Sequence, residues 1–254
     1  LTLLNLREVK LQGRVNQAIP RELIIWAIFF IVVSLFFQFL HECGHGFGSQ
    51  IDGVHVSTGF NRVGDVGKRP SDQDFRSEQI ITWTLNSGGL LGPFVNWMFA
   101  IVFTILLMFY SKTNLKAFFI GGIAIINALM RFLPMTIFFI GASKGELWLE
   151  DEVSCGLRAI EGINFPMPLL DFKILSKSQS ALFLSEPKLY FWPILSFIIS
   201  LVCLVSTYWK LNKLFNEIIC SRLYRWFFWF LPFILWPLIY IIGSFLDNMI
   251  RINW

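Results

Sequence analysis

Charge is scarce in this chain: 15% of its 254 residues are Asp, Glu, Lys or Arg, against 55% that are hydrophobic. A water-soluble domain of this length could not hide so much apolar surface, so composition excludes an ordinary soluble fold. Histidine is scarcer still, with three in the whole sequence. The four cysteines, Cys43, Cys155, Cys203 and Cys220, make no extracellular disulfide framework, since Cys203 lies in an apolar run and Cys43 sits between two of the histidines. Net charge is only +4, and the basic residues are scattered through connecting segments. No stripe of them could follow a nucleic-acid backbone, so no nucleic-acid partner is expected. Internal repeats and low-complexity tracts are also missing. The first twenty residues are polar and mixed and the first apolar run is of full span length, so no cleavable signal peptide is expected.

What the chain does have is apolar length, with 28 Phe and 10 Trp. Five stretches are long enough to cross a bilayer: roughly Glu22–Gln50, Leu90–Tyr110, Leu115–Ile140, Leu189–Trp209 and Trp226–Phe245. Aromatic residues crowd the ends of the last two, where they anchor at the interface. The expected fold is an all-α polytopic membrane protein of about five transmembrane helices, with a small membrane-edge β element after the first. Residues 1–21 read as an interfacial lead-in, 22–155 as a three-span core, 156–187 as a polar connection and 188–254 as two further spans. Between the first two spans, Val54, Val56, Thr58 and Phe60 alternate with His55, Ser57 and Gly59, the period of a half-exposed strand. Such a strand could accept an extended peptide by β-augmentation; a loop containing a hairpin fits the pattern equally well. Glu78–Leu85 has the character of a short interfacial helix. The chain is expected to be integral to a membrane and multi-pass, in contact with the lipid bilayer. Lys and Arg are balanced between the two sides, so the positive-inside rule assigns neither membrane nor orientation.

The stretch Phe39–Gly48, FLHECGHGFG, closes the first span. His41 and His45 are one helical turn apart, so both imidazoles leave the same face, with Glu42 between them. A helix carrying H-E-x-x-H can hold zinc with two nitrogens while the glutamate works on the metal's water. Ionisable groups at membrane depth cost about 2.5–3.5 kcal/mol each and are functional by default. Gly44, Gly46 and Gly48 would weaken a soluble helix, but in a membrane bundle they let neighbouring backbones approach closely.

A catalytic zinc needs a third protein ligand and one open position. Topology restricts where that ligand comes from. The first span ends at the motif, so the second begins on the same side and brings Gly92, Pro93 and Asn96. The third ends there too, delivering Asn127, Pro134 and the acidic cluster Glu146, Glu150, Asp151 and Glu152. Asp151 is the first choice, with Glu150, Glu146 and Glu152 as rivals and His55, ten residues after His45, as another. Asn96 or Asn127 could bond an oxyanion or a substrate backbone, or simply tie helix to helix. Gly92-Pro93 would break or kink the second span, or mark its start. Arg131 inside the third span must face the protein interior and have a partner.

HECGHGFGSQIDGV resembles the H-E-x-G-H stretch of the site-2 protease family of intramembrane zinc metalloproteases, and LLGPFVNWMFA is similar to that family's G-P-x-x-N-x-x-x-A signature. The resemblance covers roughly residues 25–155 and leaves the last two spans unassigned. It implies a zinc-dependent endopeptidase acting on transmembrane or membrane-associated peptides, with His41 and His45 as ligands, Glu42 as general base and Asn96 as a gating or supporting residue. The family's third span carries a compact N-x-x-P-x-x-x-D-G. Here Pro134 is seven residues after Asn127, Asp151 follows seventeen later, and Glu152 stands in place of the glycine. That departure leaves room for a different reading, a catalytically silent protease-like protein serving as a structural subunit or a partner of other membrane subunits.

Overall fold

The structure, a computed structural model, describes residues 2–72, 88–110, 115–148, 150–158, 160, 177–215 and 222–254. The stretch 78–85, read above as an interfacial helix, lies outside the described residues.

The first apolar run is part of one long helix, α1 (Thr2–Ile51). The expected separate lead-in is therefore a continuous extension of the same helix. α1 stops where Gly53 takes φ +73. There the Val54 N–H returns to the Ser49 carbonyl at 2.9 Å and the Gly53 N–H to that of Gln50 at 3.2 Å. That double closure needs a left-handed residue just past the helix end, which glycine adopts freely. A hairpin of two short strands follows, β1 (Ser57–Thr58) and β2 (Val63–Gly64).

The second span is α2 (Gly88–Met108). It is continuous through Pro93, so Gly92-Pro93 neither breaks the helix nor marks its start. Pro93 forfeits one hydrogen bond in the second turn, near the end where helices tolerate proline best. The third is α3 (Leu115–Ser143). The connection expected to be merely polar contains two short helices, α4 (Asp151–Arg158) and α5 (Lys177–Leu184). A 3₁₀ turn at Pro187–Tyr190 leads into α6 (Phe191–Phe215), and α7 (Arg222–Asp247) is the fifth. Five of these helices are long and apolar enough to cross a membrane. A third strand, β3 (Ile252–Asn253), pairs antiparallel with β1 and completes a sheet of order β2-β1-β3.

α2 is the hub: it packs against α1, α3, α6 and α4. Ala100 and Leu107 of α2 and Ile125, Ile126, Ala128 and Leu129 of α3 are buried in one core cluster. Small residues permit the close approaches. A Cβ on Gly44 would lie 2.7 Å from the Leu91 carbonyl oxygen, and one on Gly122 2.6 Å from the Trp26 ring. Ile24, Ile28, Val32 and Phe36 form an exposed stripe at every fourth position of α1. That is what a helix offers when its outer surface meets acyl chains rather than water.

The β element departs from simple alternation, because Ser57 and Gly59 are buried along with Val56 and Thr58. The cause is a second covering layer. The face expected to be open to solvent is closed by Asp247, the last residue of α7, and by Arg251 beyond it.

Candidate metal centre

His41 and His45 project from the last turns of α1, about 9 Å or more of helix rise before its end at Ile51. Their rings are 4.7 Å apart between centroids and perpendicular. Asp151, the first residue of α4, meets both. The three facing atoms form a triangle: His41 Nε2 to His45 Nε2 is 3.1 Å, His41 Nε2 to Asp151 Oδ2 is 3.2 Å, and His45 Nε2 to Asp151 Oδ2 is 3.5 Å. A four-coordinate ion with bonds of about 2.0–2.1 Å separates its donors by about 3.3–3.4 Å. The observed edges straddle that value, so the donor set fits a metal ion. These three residues are the one such group among the described residues.

The rival ligands are placed elsewhere. His55 is exposed, and its Nδ1 lies 3.3 Å from the Trp254 carbonyl. Glu146 and Glu150 are outside the triad. Glu152, adjacent to Asp151, points the other way into the bundle. Its Oε1 accepts from Ser196 Oγ at 2.6 Å, and Ser196 in turn accepts from Trp97 Nε1 at 3.0 Å.

Asn96 holds the first ligand in place. Its Oδ1 lies 2.6 Å from His41 Nδ1, and its Nδ2 donates to Asn127 Oδ1 at 3.0 Å. With the carbonyl oxygen facing Nδ1, that nitrogen must carry the proton. The Nε2 lone pair is thereby directed at the centre, as hydrogen bonding at the far ring nitrogen does for metal-binding histidines. Asn127 donates onward to the Ile123 carbonyl at 3.0 Å. Both asparagines are buried and engaged within the bundle. Asn96 ties α2 to α1 through His41 and to α3 through Asn127.

Gly92 is a cradle for the second ligand. A Cβ there would run into the His45 ring, 2.5 Å from Cε1 and 2.7 Å from Cδ2 with Nε2 closer still. Only a residue without a side chain leaves His45 in its place. Pro93 is buried beside it.

Arg131, on α3, has the partner that its depth demanded. Its Nη1 donates to Asp151 Oδ2 at 2.7 Å and reaches Glu152 Oε2 at 3.5 Å, while Nε donates to the Met130 carbonyl at 2.8 Å. The guanidinium thus shares one carboxylate oxygen with both histidines. Burial alone would raise the Asp151 carboxyl, but the neighbouring His45 and His41 rings and the Arg131 guanidinium outweigh it and hold Asp151 well below the usual carboxylate range. Glu150 goes the other way. Burial pushes it up to about 8 against the pull of Arg131, with the charges of Asp151 and Glu152 adding to the rise. Two neighbouring carboxyls with opposed shifts mean that negative charge is concentrated on the one facing the histidines.

Glu42 is buried on α1 between the ligands. The Ser196–Glu152 tie and the strand beyond α7 went unseen in the sequence. Arg131 was the signal for an acidic counterpart; nothing comparable announced β3. Four elements, α1, α2, α3 and α4, thus converge on one point with two imidazoles and a carboxylate. No family model, curated protein or solved structure matches the chain.

Proposed function

We propose that this chain is a zinc-dependent intramembrane endopeptidase, as its two motifs suggest, hydrolysing peptide bonds in transmembrane or membrane-associated substrates. The observation that carries this reading is the donor triangle, with edges of 3.1, 3.2 and 3.5 Å. Two imidazoles and one carboxylate suit zinc, whereas magnesium and calcium favour oxygen donors throughout. Held by His41, His45 and Asp151, zinc would acidify water and polarise a carbonyl. The rest of the work belongs to the protein. Asn96 keeps the proton of His41 on Nδ1. Gly92 leaves space for the His45 ring. Glu42 accepts the proton of the attacking water and hands it to the leaving amine, a role worth about two to four powers of ten in rate. His41, Glu42 and His45 are buried, which strengthens the charge interactions they make.

A second reading draws on a specific observation, the Arg131 guanidinium 2.7 Å from the Asp151 oxygen that a metal would use. A permanent cation there can stand in for the ion and leave a silent scaffold. Metal analysis of the purified protein, paired with cleavage of a membrane-embedded peptide by the wild type and by Glu42→Gln, separates the two. The protease reading expects about one zinc per chain and cleavage reduced at least about a hundredfold by the substitution. Bound zinc with cleavage indifferent to Glu42 refutes the mechanism, and a chain that takes up no zinc is the scaffold.

A further inference from the structure

β1 is the middle strand of the sheet, and one of its two neighbours comes from far along the chain. β2 is the local hairpin partner. β3, which follows α7, lies on the other edge with Ser57 opposite Asn253 and Thr58 opposite Ile252. The Trp254 N–H extends the ladder to the Val56 carbonyl at 2.9 Å. A pairing of two residues is marginal by itself, and the β3 side chains are exposed. What holds the strand is an anchor at each end. Arg251 donates to Ser57 Oγ at 3.0 Å and to the carbonyls of Ser57 and Arg62 at 2.7 and 2.9 Å. The Trp254 indole N–H donates to Thr58 Oγ1 at 2.8 Å.

The position of this strand relative to the candidate chemistry is what matters. Gly46 is one helical turn after Glu42, so the two share a face of α1. The Trp254 indole lies directly against Gly46, filling the place a side chain there would need. An extended segment therefore runs antiparallel along β1 with its Trp254 end seated on the helix that carries Glu42. Main-chain pairing to a strand edge is a general means of gripping an extended peptide, with pockets at alternate positions supplying selectivity.

We propose that Arg251–Trp254 is a resident strand occupying the peptide-docking edge of β1, and that a substrate segment binds by displacing it. This rests on the protease reading of the site and extends it. The segment favoured would be extended, antiparallel to β1, with a basic residue three positions before an aromatic one. The indole contacts the carrier helix of Glu42, so the strand and a docked peptide cannot share that edge.

The test uses the full chain carrying Glu42→Gln, so that docking is read without chemistry. The probe is a fluorescent synthetic peptide containing Arg-Ile-Asn-Trp, with a scrambled peptide as control. Trp254→Ala, which removes one anchor of the resident strand, is expected to tighten binding of the probe by about tenfold, the effect of one lost hydrogen bond and its packing. Ser57→Cys with Asn253→Cys places two thiols at directly opposed positions, where a disulfide can close. The oxidised pair is expected to lose the probe and regain it on reduction, while neither single variant responds to oxidant. Equal binding by the oxidised and reduced pair, or no preference over the scrambled peptide, overturns the proposal. Docking as described in a protein that cleaves nothing sinks the protease reading and leaves the strand exchange standing. Cleavage that depends on Glu42 but ignores the closed disulfide sinks the strand exchange alone.

Discussion

Gly92→Ala is the most economical challenge to the centre, because it adds one methyl group and no polarity. In a helix interior alanine is favoured over glycine by about 1 kcal/mol, so α2 itself should be, if anything, more stable. The new Cβ would nevertheless lie 2.5 Å from His45 Cε1, where ordinary contact begins at 3.4 Å. Restoring that contact requires relative movement of about 0.9 Å, the difference of the two distances, and Nε2 lies closer still. Metal–ligand distances tolerate about 0.2 Å, so His45 cannot both clear the methyl and keep its place in the triangle. Disturbing one supporting contact typically lowers metal affinity ten- to a hundredfold, and displacing a ligand outright should reach at least the upper end of that range. Zinc affinity by chelator competition, with thermal unfolding measured on the metal-free protein, separates the effects. The expected result is a loss of about a hundredfold or more in affinity with unfolding unchanged or raised. Zinc affinity within about threefold of wild type would show that the ring has freedom which the packed geometry denies it.

Three further substitutions probe the surrounding contacts. Asn96→Leu removes the acceptor for His41 Nδ1–H, and zinc affinity should fall ten- to a hundredfold by the same competition assay. Arg131→Met leaves Asp151 and Glu152 without their cation, a loss of about 3–5 kcal/mol for a buried pair broken on one side; zinc should then raise the unfolding temperature of the variant by more than it raises that of the wild type. Glu150→Gln tests the raised carboxyl in metal-free protein. Because the folded value, about 8, is above the ordinary one, the stability that Glu150 contributes is full at acid pH below its unfolded value and is lost as pH rises through 8. Glutamine imitates the neutral acid at every pH, so the variant should match the wild type near pH 5 and unfold at a higher temperature than it at pH 9.

The sequence carried the features with a fixed period or a fixed energetic penalty. Two histidines four residues apart declare a shared helical face, and an arginine in an apolar span declares an interior partner; both are local facts. The number of crossings brings the end of the third span, and Asp151 with it, back to the motif although the spacing from Pro134 is long. Choosing it over Glu150 and Glu152 was a matter of which way each side chain leaves the first turn of α4, and that depends on Ser196, forty-four residues away. In the sequence, Gly92-Pro93 declares only what proline does to a backbone. Its weightier property, the missing Cβ under His45, exists only once α1 and α2 are packed. β3 is the extreme case: a two-residue pairing between positions nearly two hundred apart has neither length nor pattern to announce it.

The contact between Glu152 and Ser196 has a consequence for how small such a protein can be made. Every group that would touch the ion lies on α1 or α4, and an engineer seeking a minimal unit would be tempted to stop after α4. Yet α6 supplies the hydroxyl that keeps the neighbouring carboxylate turned away, and with it the guanidinium's division between two acids. Excise that fourth crossing and Glu152 has reason to swing toward the same cation, competing with Asp151 for it. The indivisible part of the molecule therefore extends past its conspicuous motifs, into a helix that bears no ligand at all.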